Sequence, residues 1–273
     1  PGSTLRVAYS TVEPRSAAPG WQANNDLQLR SFSTSGWVSR PVVVADANAG
    51  GIYGWWGTLF RWSPDGNRMA FARPDGVGLV NFDTGEFRSH LQIPPLQTFG
   101  DWAWVPGVTW SPDSQVLYTV AHRALEGESN TTETSPLFDL TAIPLEGGAP
   151  IPLVLQVGMF AAPAASPAMP LPEDPGAFQV AYLQAITPRQ SETSRYRLYV
   201  MDRDASNRRA LFPEQGAPGL DPQQVLWSPQ PLFENQAYGI AVLYQGDLWL
   251  VNAQTGEAVQ LTGDGLVTRV DWR

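Results

Sequence analysis

The feature that most constrains this chain is a short repeat. Trp62-Ser63-Pro64-Asp65-Gly66 recurs as Trp110-Ser111-Pro112-Asp113-Ser114, and weaker copies read Trp227-Ser228-Pro229-Gln230 and Ala165-Ser166-Pro167-Ala168. A repeat of this kind outranks composition as evidence, because each unit must bury a face against the next and so dictates the architecture. The residue types have a local reason. Serine accepts nearby backbone hydrogen bonds, proline presets φ for a type I turn, and glycine takes the left-handed exit. The tryptophan before the turn fits a wedge between packed sheets.

A second motif follows two of the copies. LVNFDTGEFRSHL (79–91) matches LWLVNAQTGEAVQLT (248–262), and YRLYVMDRDASNRRALF (196–212) takes the same place in a third unit. Each reads as strand, tight turn and returning strand. One unit is therefore strand a, Ser-Pro turn, strand b, loop, strand c, tight turn, strand d: a four-stranded antiparallel sheet. The rest of the chain agrees. Short alternating runs such as LRVAYS, RMAFA, VLYTVA and FQVAYLQA are bounded by turn residues. Twenty-five prolines spread along 273 residues leave no room for long helices. The expected class is all-β.

These motifs resemble the WD40-like (PD40-type) repeats of TolB-like bacterial β-propellers, and RLYVMDRDASNRRALF (197–212) is a close match. The resemblance covers most of the chain from Thr58 onward. It departs at Ser166, which lacks both Trp and Asp, and at Ser228-Pro229, where Gln230-Pro231 follows. It implies a propeller fold and an extracytoplasmic, bacterial setting (periplasmic, secreted or cell-surface). It is weak for function, because sites are grafted onto folds.

Ser63, Ser111, Ser166 and Ser228 stand 48, 55 and 62 residues apart. A fifth marker is read across the chain ends, where VTRVDWR (267–273) and PGSTLRVAY (1–9) together spell one copy. The sequence thus predicts a single domain, 1–273, folded as a five-bladed β-propeller of four-stranded antiparallel blades. The blades are 266–273 with 1–50, 57–92, 106–156, 158–216 and 220–265. The ring is expected to close by pairing of the C-terminal strand with the N-terminal strands, which removes exposed sheet edges. A fragment of a longer array is the alternative. The chain starts at Pro1, from which removal of an upstream segment is expected.

The a–b and c–d turns share one face of such a fold, and most are short. The exceptions are SPAMPLPEDPGAF (166–178) and SPQPLFENQAY (228–238). The b–c and d–a connections on the other face are longer and rich in aromatic residues. Trp21, Tyr53, Trp55, Trp56, Trp102 and Trp104 fall there and are the candidate ligand-binding residues, since Trp and Tyr supply much contact energy and stack on sugars. The competing reading makes each a wedge between blades.

Little points to chemistry. The two histidines, His90 and His122, have no ligand spacing, and no cysteine exists. No GxSxG elbow or HExxH pattern is present, so no catalytic residue, metal site or cofactor is assigned. The stretch 46–51, DANAGG, has alternate oxygen ligands but lacks the distal Glu of a calcium loop and reads as a turn. All 17 basic residues are arginine against 26 acidic ones, net −9, which disfavours nucleic acid as a partner. No apolar run is long enough to span a membrane as a helix.

The expected function is non-enzymatic: a binding or scaffolding propeller recognising a protein segment, a peptide or a glycan at the loop-rich channel mouth, with membership of a larger assembly allowed. One alternative is a five-bladed glycoside-hydrolase-type enzyme, for which Asp101, Asp221 and Asp271 are the carboxylates to inspect. The other is an accessory or gating propeller of a larger, peptidase-like protein.

Overall fold

Each serine of the repeat holds the neck of a hairpin. Ser63 Oγ accepts the backbone N–H of Arg68 at 2.9 Å and donates to Asp65 Oδ1 at 2.5 Å, while Asp65 Oδ1 also accepts the N–H of Asn67. Gly66 closes the turn onto Ser63 O with φ +69°, which glycine adopts without strain. Ser111 repeats the pattern with Asp113, Gln115 and Val116. The N–H groups of Gly66, Asn67 and Arg68 are thus paired within the turn, which is why the motif favours a hairpin.

A computed structural model describes residues 5–18, 20–23, 26–33, 36–44, 57–82, 84–98, 100, 102–124 and 131–272. The chain divides into two compact units, Pro1–Val105 and Pro106–Arg273.

In the first unit, β1 (Leu5–Tyr9), β2 (Val12–Pro14), β3 (Trp21–Ala23), β4 (Asp26–Ser33) and β5 (Gly36–Val44) make a three-stranded sheet, β1-β4-β5, and a separate β2-β3 hairpin. A four-stranded sheet follows in simple order: β6 (Leu59–Trp62), β7 (Met69–Arg73), β8 (Gly76–Val80) and β9 (Phe87–Gln92). Leu27 and Leu29 of β4 pack with Met69, Phe71 and Val80 between the two sheets. Trp62 of the motif lies against Phe82, ring centroids 5.3 Å apart.

The second unit holds three more four-stranded antiparallel sheets, each up-and-down in chain order. They are β10 (Val108–Trp110), β11 (Val116–Arg123), β12 (Leu137–Pro144), β13 (Ile151–Val154); β14 (Ala164–Ala165), β15 (Gln179–Ala185), β16 (Tyr196–Asp202), β17 (Arg209–Phe212); and β18 (Leu226–Trp227), β19 (Gly239–Tyr244), β20 (Asp247–Asn252), β21 (Ala258–Gln260). The short first strands are neighbours in turn, β10 beside β14 and β14 beside β18. The last two sheets pack face to face through Leu183, Leu198 and Val200 against Ile240, Val242 and Val251, all fully buried. Trp227 is the wedge its motif suggests: its indole Nε1–H donates to Ala164 O of the preceding sheet at 2.9 Å.

One expectation is corrected. Residues 266–272 form no strand, and Leu266 is 77% exposed. The local pattern favours a strand, but the preceding turn claims the backbone. Asp247 Oδ1 accepts the N–H of Gly265 at 3.0 Å, and the N–H of Val267 donates to Gly246 O at 2.8 Å. The chain is drawn onto the β19–β20 turn. The sheet containing β1 has three strands among the described residues. No helix among them is long and apolar enough to cross a membrane.

Candidate functional site

The six aromatic residues singled out by sequence have different fates. Tyr53, Trp55 and Trp56 lie outside the described residues, as do the 46–51 turn and Asp101. Trp21 opens β3, its backbone paired with Pro14; the connection read as a loop is in part this hairpin. Trp102 is 38% exposed, and its carbonyl accepts from Thr98 Oγ1 at 2.5 Å. Trp104 is 2% exposed. Asp221 is on the surface and ion-paired with Arg195, and Asp271 is exposed. His122 is buried in β11 beside Phe138, and burial holds the His90 imidazole below its usual range. Among the described residues no cluster of His, Asp and Glu is arranged to hold a metal ion.

The concave site lies elsewhere, on the face of the a–b and c–d turns. A cavity of about 670 Å³ opens between the last two sheets, within the range typical of ligand pockets. It is built by the two lengthened a–b connections that the sequence shows as exceptions. Ser166 and Ser228 keep the role of Ser63: Ser166 Oγ accepts the N–H of Gln179 and Ser228 Oγ that of Gly239, each at 3.0 Å. The necks are closed as in the short turns, and the extra residues are extruded as loops. Each loop pairs with itself, Met169 N–H to Ala177 O at 2.7 Å and Leu232 N–H to Ala237 O at 3.0 Å. The inserted residues form walls and are not loose connections.

One side of the cavity is apolar, with Met169, Pro170, Leu171, Phe178, Pro231 and Tyr238. Phe178 is fixed edge-on against Tyr118 at 6.0 Å, and the Tyr118 hydroxyl donates to Arg203 O at 3.1 Å. The other side is the c–d turn after β16. Arg203 staples the two sides, reaching Asp174 Oδ2 and Gly176 O, each at 3.2 Å. Both partners are substantially exposed, so the pair sets position more than stability. Arg209 Nη2 donates to Ala253 O at 2.6 Å.

Asp202 and Asp204 also line the cavity. Asp202 accepts from Gln179 Nε2 at 3.2 Å and from Asn207 Nδ2 at 2.7 Å. Asp204 accepts from the hydroxyl and the N–H of Ser206, and these bonds hold its carboxyl below the usual range. The arrangement offers shape, an apolar wall and fixed charge. Aromatic content points to the other face; the lengths of 166–178 and 228–238 are the sequence signal for this one.

Fold and site together define an all-β protein of repeated four-stranded antiparallel sheets with a concave inter-sheet cavity on its turn face. No protein-family model and no curated protein matches the sequence. Solved structures similar to it include a chain described as TolB from Agrobacterium tumefaciens (16% identity, TM-score 0.44, covering 83% of this chain and 66% of that one). Others are a puromycin-hydrolyzing peptidase from Mycobacterium tuberculosis (16% identity, TM-score 0.47, 93% and 37%) and an acylaminoacyl peptidase from Pyrococcus horikoshii (11%, TM-score 0.42, 94% and 37%). This chain thus spans little over a third of either peptidase. At these scores the likenesses say nothing about activity.

Proposed function

We propose that this chain is a β-propeller binding module, with the three-stranded sheet and the four four-stranded sheets as its five blades, and that it recognises a protein or peptide segment without catalysing a reaction. The observation that carries the reading is the cavity between the last two sheets. Two insertions that the hairpins do not need are clamped by buried serines and paired internally, so that they wall a concave space. Preorganised walls of this kind lower the ordering cost of binding. An accessory role within a larger protein and an extracytoplasmic setting fit the same reading.

A second reading is favoured by Trp102, which is 38% exposed: recognition on the opposite, aromatic-rich face. One experiment separates them. Peptides selected from a phage-displayed random library on the immobilised protein are titrated against wild type, Ala168→Trp and Trp102→Ala. Ala168 is exposed and lines the cavity, so tryptophan there fills space without disturbing the core. The expected result is a loss of about tenfold or more in affinity for Ala168→Trp, ~1.4 kcal/mol, with Trp102→Ala unchanged. The reverse pattern moves the site to the aromatic loops and removes the cavity reading.

A further inference from the structure

The charges of the cavity are not alike in how they are satisfied. Arg203 is taken up by Asp174 and Gly176 O, and Arg209 by Ala253 O. Asp202 and Asp204 accept their hydrogen bonds from neutral donors, Gln179, Asn207 and Ser206, and neither is in an ion pair among the described residues, although the nearby Arg203 charge also acts on Asp204. Two carboxylates held by hydrogen bonds therefore line the cavity together with its apolar residues.

The charge at 202 is not shared by the corresponding hairpins of two other sheets. Asn81 and Asn252 end strand c in two other sheets, and each accepts the N–H of the threonine three residues on through Oδ1, Thr84 at 3.1 Å and Thr255 at 3.2 Å. Their main chains close the same way, Gly85 N–H to Asn81 O and Gly256 N–H to Asn252 O. A neutral amide suffices in those two hairpins; the turn at Asp202 closes one residue earlier, Ala205 N–H to Asp202 O, and its carboxylate takes side-chain donors from Gln179 and Asn207. The hairpin with Asp202 is also the one whose turn carries a second cavity-lining carboxylate.

Resting on the reading of the cavity as a peptide site, we infer that its occupant is an extended peptide segment presenting an arginine or lysine beside an apolar residue: the cation sits on Asp202 and Asp204, and the apolar side chain lies against Met169, Leu171 and Tyr238. Charge complementarity supports the choice at two scales. Locally the two carboxylates are preorganised acceptors for a guanidinium or ammonium. Globally the chain carries net −9 and no lysine, so its field draws in basic segments.

The test is the same library selection run in parallel on wild type, on the double variant Asp202→Asn with Asp204→Asn, and on Ala168→Trp, with the selected peptides sequenced. On wild type, arginine and lysine together are expected to be enriched about fivefold or more over aspartate and glutamate at one position, next to an apolar residue. On the double Asn variant that basic preference should vanish while the apolar preference stays. The variant keeps neutral acceptors in the turn, so an unchanged urea midpoint serves as the folding control. Wild-type peptides without basic enrichment, or enrichment that survives the double substitution, overturn the inference. The two readings fail separately. If Ala168→Trp loses the wild-type peptides but they show no basic preference, the cavity site stands and the cation does not. If Ala168→Trp keeps them, both fall.

Discussion

Ser228 Oγ accepts the backbone N–H of Gly239 at 3.0 Å across ten intervening residues, as Ser63 Oγ accepts that of Arg68 at 2.9 Å across four. The same bond closes a tight turn in one sheet and a cavity wall in another. A buried hydroxyl at the neck decouples the hairpin from the length of its loop. Loop closure entropy grows only slowly with length, so insertions at such a neck are thermodynamically tolerable.

Removing that hydroxyl tests the device. Ser228 and Gly239 are both buried, so Ser228→Ala leaves the Gly239 N–H without its partner. A buried donor so stranded costs about 1–3 kcal/mol. Urea unfolding should show that loss, and peptide binding at the cavity should weaken as the wall loosens. Stability within a few tenths of wild type would mean the neck is held by the strands alone.

Trp227 offers a graded test of the wedge. Trp227→Phe keeps most of the buried area but takes the hydrogen bond from Ala164 O, a loss of about 1 kcal/mol. Trp227→Ala adds a cavity between two sheets and should cost ~3–5 kcal/mol. Equal effects of the two substitutions in chemical denaturation would show that the indole N–H, and not the packing, carries the contribution.

Acid should weaken the first unit through its carboxylates. Burial pushes Asp26 up, but donors from Thr11 and Gln28 outweigh it and hold its carboxyl below the usual range; the Ser63 hydroxyl does the same for Asp65. A carboxyl lowered by folding stabilises above its unfolded value and loses that contribution as pH falls through the folded one. The unfolding midpoint should therefore be level above about pH 5 and fall below about pH 4. Asp65→Asn should shallow that acid limb, and an identical limb in the variant would remove Asp65 from the explanation.

The C-terminal segment depends on one glycine. Gly246 has φ +82°, and a Cβ there would sit 2.3 Å from Gly265 O. Gly246→Ala combines an unfavourable backbone with a clash that only movement of residues 264–267 relieves. We expect a loss of about 1–3 kcal/mol and faster proteolytic nicking after residue 260. Unchanged nicking would show that Asp247, which accepts from Gly265, Thr262 and Gln260, holds the segment without the glycine.

Much of the architecture was legible because its causes are local. The Ser-Pro turns, the tight c–d turns and the alternation of apolar residues all act within a few positions of one another, so the four-stranded antiparallel unit is legible in the sequence. Local pattern failed at 266–272, where a plausible strand lost its backbone donors to Asp247 and Gly246. Trp104 looks like a recognition residue in sequence and is 2% exposed in the fold.

By itself the sequence determined the repeating unit, the turn chemistry and the all-β class, because these depend on residues that are neighbours in the chain. The tertiary structure alone decided which face is concave and which of its charges are not taken up in ion pairs. Those depend on the packing of β14–β17 against β18–β21, which brings the loop 166–178, the turn at 202–206 and the loop 228–238 around one space. No residue in any of the three stretches carries a sign that the other two will be there.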